Sequence, residues 1–186
     1  FARFACRTLT VWHPLPTGDI VAGPHTLAET ENAVESRLAG MELDFEAMAV
    51  ASNLFRAANA VRNHLERTVL QPHDLTWTAF VVLWVVWIWE SVETRIVADE
   101  VGVSKATLSG VLATLEGRGL LTRARSAADG RLVIVELTAP GRRLMKRLFP
   151  QFNQQEQIVV SAIDKDQLPA AADLLRRLTQ AASGER

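Results

Sequence analysis

The chain has 186 residues, 48% of them hydrophobic and 22% charged, with a formal net charge of −1. That size buries one good core and little more than one domain, and the composition excludes a disordered chain. A single cysteine, Cys6, excludes an internal disulfide and suits a reducing cytoplasm, while the longest apolar run, Ala79 to Trp89, has eleven residues, short of the roughly 20 that a membrane-spanning helix needs.

Residues 1 to about 25 carry Pro14, Pro16, Gly18, Gly23 and Pro24 with no helical period, which predicts a loosely ordered arm. Arg3 and Arg7 are followed by no long apolar core, so no secretory signal is expected. Thr26, with Glu29 three residues on, reads as the capping box of a short helix that runs to Leu38 and stops at Gly40. From Asp44 to Leu70, residues Phe45, Met48, Ser52, Phe55, Ala58, Val61 and Leu65 recur at three- or four-residue intervals along one long helix. The next helix crowds Trp77, Trp84, Trp87 and Trp89 together, and Trp77, Val81, Trp84 and Ile88 share one face. Such a stripe is either plain core or the wall of a pocket.

Glu93 to Thr138 spells a helix-turn-helix followed by a basic hairpin. Ala98 supplies the small residue that a steep helix crossing needs, and Gly102 the residue at ease with positive φ in the turn. Val101 and Val103 should plug the core. Ser104 stands at the N-cap of a second helix, Lys105 to Glu116, whose Leu108, Val111, Leu112 and Leu115 face inward. Lys105, Ala106, Thr107, Ser109, Gly110 and Ala113 are left outward, a small polar face that suits a major groove. Gly110 costs roughly 1 kcal/mol inside a helix, which close approach to DNA would explain. Leu120 to Arg125 and Leu132 to Leu137 then read as two strands around a loop containing Asp129 and Arg131. Between Arg118 and Arg147 there are eight basic residues against two acidic ones, a local +6 in a chain whose total is −1. That excess is the footprint of a phosphate-contacting surface, and Arg123, Arg125 and Arg131 are its expected wing contacts.

Beyond the wing, Thr138 and Pro140 start a helix carrying Leu144, Met145, Leu148, Phe149 and Phe152, with a kink expected at Pro150. A last helix is predicted to start near Asp164 with Gln167 as box partner, and to carry Leu168, Ala171, Leu174, Leu175 and Leu178. These terminal stripes are too apolar to stand in water and predict a homodimer interface. The expected fold is mainly α with a small β-wing: a winged helix-turn-helix flanked by N- and C-terminal dimerisation helices. Its parts are an arm with a short helix at 1–40, a dimerisation helix at 41–74, the winged helix-turn-helix at 75–138 and C-terminal dimerisation helices at 139–186.

Leu75-Thr76, the helix around Phe80, Ala98 with Gly102, Leu115-Glu116 with Gly119-Leu120, Asp129-Gly130-Arg131 and Leu137-Thr138 with Gly141 resemble the MarR family of bacterial transcriptional regulators. The likeness covers about Leu43 to Ala182. It implies a dimer on double-stranded DNA, with Asp129 shaping the wing tip and Arg131 entering the minor groove. Where the family often carries a second basic residue between these two, this chain has Gly130. The resemblance also places the tryptophan helix between the dimer region and the DNA-binding lobe, where small aromatic effectors often bind, so Trp77, Val81, Trp84 and Ile88 become the expected ligand contacts.

No enzyme, cofactor or metal site is expected. His13, His25, His64 and His73 are scattered, with no Cys or acidic partner at ligand spacing. Glu90 with Glu93 and Asp99 with Glu100 fall at helix starts or solvated faces, and no phosphate loop or nucleophile elbow appears. The reading is a cytoplasmic DNA-binding regulator, a repressor released by a small aromatic ligand. Its rivals are a winged helix used for protein interaction without DNA, and a redox-sensing regulator using Cys6.

Overall fold

A computed structural model of the chain describes residues 25–184. The arm, and with it Cys6, lies outside the described residues. By proximity the chain falls into two units, divided between Asn53 and Leu54.

In the first unit, α1 (Leu27–Arg37) begins with the predicted capping box: the Thr26 hydroxyl accepts the Glu29 N–H at 3.2 Å, and the Glu29 carboxylate accepts the Thr26 N–H at 2.7 Å. These bonds from Thr26 hold the Glu29 carboxyl below its ordinary range. Gly40, at φ +94°, turns the chain after α1. Asn53 donates to Glu31 at 2.6 Å, which ties α1 to the first half of α2 (Phe45–Leu65).

In the second unit, α2 does not run on as regular helix to Leu70. It passes into a π-turn at Glu66–Leu70 and a short 3-10 turn at Gln71–His73, ended by Asp74 in a left-handed conformation at φ +52°. Pro72 is the reason, since it has no N–H to extend the helical ladder. The central helix α3 (Trp77–Trp89) buries Phe80, Val82, Leu83, Val85 and Val86. It packs against α4 (Thr94–Val101), α5 (Lys105–Gly117), α6 (Ala139–Val159) and the sheet, so apolar residues on most of its circumference are satisfied.

The sheet has three antiparallel strands in the order β1 (Ser91–Glu93), β3 (Val133–Leu137), β2 (Leu121–Arg125), with Val92 opposite Val135 and Leu121 opposite Leu137. β1 is absent from the sequence reading, because three residues carry too little alternation to register. It follows Glu90, which caps α3 at φ +63° rather than starting a helix. The other hairpin strands fall within a residue of expectation.

Gly141 shows how tightly the lobe is closed. A Cβ built there would lie 1.9 Å from the Leu120 carbonyl oxygen, so only glycine lets α6 approach the β2 entry. Thr138 locks the same junction: its hydroxyl donates to Gly119 O at 2.6 Å and accepts the Gly141 N–H at 3.1 Å. Pro150 does not interrupt α6, which continues through it to Val159.

The last helix, α7 (Leu168–Ser183), starts later than expected and Gln167 makes no side-chain cap. Asp164 to Gln167 form a turn instead, closed by Gln167 N–H to Asp164 O at 2.9 Å, and Pro169 fits the first turn of the helix that follows. Leu174 and Leu175 stay 49% exposed, and α7 buries no residue.

Candidate nucleic-acid interface

The helix-turn-helix forms as its small residues dictate. Ala98 is buried at the α4–α5 crossing, and Gly102 takes φ +69°, its N–H closing onto Asp99 O while Val103 N–H reaches Ala98 O. Val101 and Val103 pack on the core as predicted. Ser104 caps α5 by accepting the Thr107 N–H at 3.1 Å and pairing with the Thr107 hydroxyl at 2.8 Å. Leu108, Leu112 and Leu115 are buried, and Lys105, Ala106, Thr107, Ser109 and Gly110 are exposed.

The expected DNA face is divided by the fold. Lys105 and Ser109 line a cleft of about 380 Å³ together with Arg123 and Arg131, between α5 and the wing. Thr107 and Gly110 lie on the other flank of α5, in a hollow of about 370 Å³ shared with Thr76, Thr114 and Arg118. The cleft also takes in Glu93, read in the sequence as a carboxylate at a helix start or solvated face, and Thr94 and Arg95, which the sequence reading passed over. A signal existed: Arg95 is the only Lys or Arg between Arg67 and Lys105. Its guanidinium lies 3.7 Å from Glu93. Leu108, Leu112, Leu132 and Val133 give the cleft an apolar floor under a cationic rim.

The wing tip is built by short hydrogen bonds. Asp129 accepts the Arg131 N–H at 2.9 Å, Ser126 accepts from Ala128 N–H at 3.2 Å, and Ser126 N–H reaches Leu132 O at 2.9 Å. Asp129 therefore orients Arg131 through its backbone. Among the described residues the Arg131 guanidinium has no partner, and it is exposed.

The basic excess is not one surface. Arg118 grips the carbonyls of His73 and Asp74 at 2.8 and 2.6 Å, Arg125 reaches Gly130 O at 3.1 Å, and Arg142 binds Leu137 O. Arg123 is taken up by Glu116, whose carboxylate accepts its backbone N–H at 3.2 Å and its Nε–H at 3.0 Å and ion-pairs with Nη2. Those side-chain hydrogen bonds from Arg123 outweigh a slight desolvation and hold the Glu116 carboxyl below its ordinary range. A carboxylate so lowered keeps its stabilising charge at neutral pH and loses it only as pH falls through that lowered value. Arg123 and Arg125 thus bond within the chain, because a guanidinium near a carboxylate or an unpaired carbonyl satisfies it first.

The tryptophan stripe is split as well. Trp77 joins an aromatic cluster, its ring 6.1 Å from Phe152, which stacks on Phe80 at 4.3 Å, while Trp87 meets Phe149 at 5.4 Å. Val81 is half-buried, but Trp84 and Ile88 are 37% and 49% exposed. The plain-core reading of the whole stripe therefore fails, since the core of this unit lies on the Phe80–Leu83 side. The two hollows flanking α5 are lined by other residues.

Residues 75–133 match the MarR family model. The chain is 35% identical to the HTH-type transcriptional regulator YwaE of Bacillus subtilis over 155 residues, 82% of this chain and 91% of that one. This chain belongs to the MarR family. Its structure resembles that of BpsR from Bordetella bronchiseptica, whose DNA binding is regulated by 6-hydroxynicotinic acid, at 28% identity and a TM-score of 0.64 over 70% of this chain and 98% of that one. It also resembles PcaV from Streptomyces coelicolor in complex with its natural ligand, at 26% identity and a TM-score of 0.62 over 76% and 99% of the two chains. The molecule is thus a MarR-family transcriptional regulator with a DNA-binding winged helix. No helix among its described residues is by itself long and apolar enough to cross a membrane.

Proposed function

We propose that this MarR regulator is a homodimeric repressor that holds a pseudo-palindromic operator and releases it when a small aromatic molecule binds. The observation that carries the reading is the cleft in which Lys105, Ser109 and the unpartnered Arg131 meet over a recognition helix of small side chains. Lys105 and Ser109 would meet base edges, and Arg131 the minor groove. A pure protein-interaction module has no use for a cationic rim of this kind.

Two-fold assembly is supported by α7, whose Leu174 and Leu175 are uncovered, and by Met48, Val50 and Leu54 of α2, which are exposed too. An aromatic effector is supported by Trp84 and Ile88, which stand exposed on α3. Both BpsR and PcaV respond to or hold a small molecule. Such a ligand acts only through different affinity for the DNA-bound and released arrangements.

A gel shift with the DNA flanking its own gene tests the first half, and titration of salicylate-like acids the second. The expected ligand changes tryptophan fluorescence, weakens operator binding, and stabilises the fold by about 2.7 kcal/mol at a hundredfold excess over its Kd. Linkage requires operator DNA to weaken the ligand by the same factor. No shifted band defeats the regulator on that operator; unchanged fluorescence, melting and affinity across the panel defeat the effector.

A further inference from the structure

We propose that Glu116 is a positioning residue for operator binding, acting through Arg131 although it touches no DNA itself. β2 is an edge strand, paired only to β3. Beyond the buried Leu121 at its start, it is tied to the lobe by the Glu116 carboxylate near the end of α5, whose Oε1 accepts the Arg123 backbone N–H and whose Oε2 accepts from both Nε and Nη2 of its guanidinium. Holding the backbone N–H with one oxygen and the guanidinium with the other fixes direction as well as distance. The five-residue register from Leu121–Leu137 to Arg125–Val133, closed by Ser126 N–H to Leu132 O, makes the hairpin one body, so holding Arg123 aims Arg131.

Simple electrostatics predicts the opposite sign. A carboxylate near a phosphate-binding cleft repels DNA, so its removal should tighten binding and free Arg123 for a phosphate. If Glu116 positions the wing, removal weakens binding because the wing must be ordered afresh on each encounter.

The inference rests on the wing reading above, and the test separates the two. The full chain is titrated with a labelled mixed-sequence duplex across a range of salt, as the wild type, Glu116→Gln, Arg131→Ala and the double variant. Arg131→Ala should weaken binding and flatten the log–log salt dependence by about 0.9. Glu116→Gln should weaken it by about tenfold and leave the number of released ions unchanged. In the Arg131→Ala background, Glu116→Gln should have no further effect, the coupling expected when one residue acts through another. Arg123→Lys keeps the charge and loses the paired Nε and Nη2 contacts, so it should match Glu116→Gln even where that variant melts early. Tighter or unchanged binding by Glu116→Gln, or an equal loss in both backgrounds, overturns the proposal and leaves the wing contact standing. An Arg131→Ala variant with wild-type affinity and slope overturns both.

Discussion

The DNA-binding lobe and the last helix are built from similar proportions of apolar residues and end in opposite states. The lobe closes on itself: α3 buries Phe80, Val82, Leu83, Val85 and Val86, and Gly141 lets α6 touch the Leu120 carbonyl. Helix α7 buries no residue among the described ones, and Leu174 and Leu175 are half exposed. A stripe at helical spacing therefore states that a face will be covered; it does not say by what.

The comparison breaks most violently at Gly141. Alanine there must displace backbone rather than a side-chain end, so Gly141→Ala should cost about 3 kcal/mol, the upper part of the overpacking range. Thermal unfolding would show it. Gly110 is the control, for a Cβ there meets nothing within 4 Å. Gly110→Ala should stabilise the helix by about 0.5–1 kcal/mol while changing DNA affinity, since the added methyl stands on the recognition helix. Equal melting temperatures for the two variants would refute the close-packed junction.

The uncovered side of the comparison is sharpened in α7. Leu174→Glu with Leu175→Glu should leave the melting of the lobe nearly unchanged and reduce the mass seen by light scattering from about twice 20.5 kDa to that value. A dimer of undiminished affinity would place the interface elsewhere.

An effect of the size expected at Gly110 is expected at Glu90, a non-glycine residue at φ +63° and ψ −65°. Glu90→Gly should stabilise by about 1 kcal/mol, because that conformation strains any side chain and costs glycine little. Denaturant midpoints of the two proteins would decide it, a lower midpoint showing that the Glu90 side chain has a compensating contact.

Much of the fold is legible residue by residue. Thr26 with Glu29, Ala98 with Gly102, Ser104 and Thr138 each announce a local event that a few neighbouring atoms complete, and each forms as read. Of these, Ala98, Gly102 and Thr138 also carry the family likeness. By contrast, the sequence does not show that Arg123 bonds Glu116 and Arg125 bonds the Gly130 carbonyl, or that the tryptophan face divides into packed and exposed halves.

The reason is reach. Caps, turns and helical stripes are decided within about one helical turn, so the order of residue types determines them. Glu116 meets Arg123 seven residues on, across the turn from α5 into β2, and which side of α3 faces the core and that Ser91–Glu93 finds an edge of β3 depend on groups tens of residues apart in sequence. Only the tertiary structure brings Glu116 to Arg123, and in doing so it leaves Arg131 as the cation of the wing without a partner among the described residues.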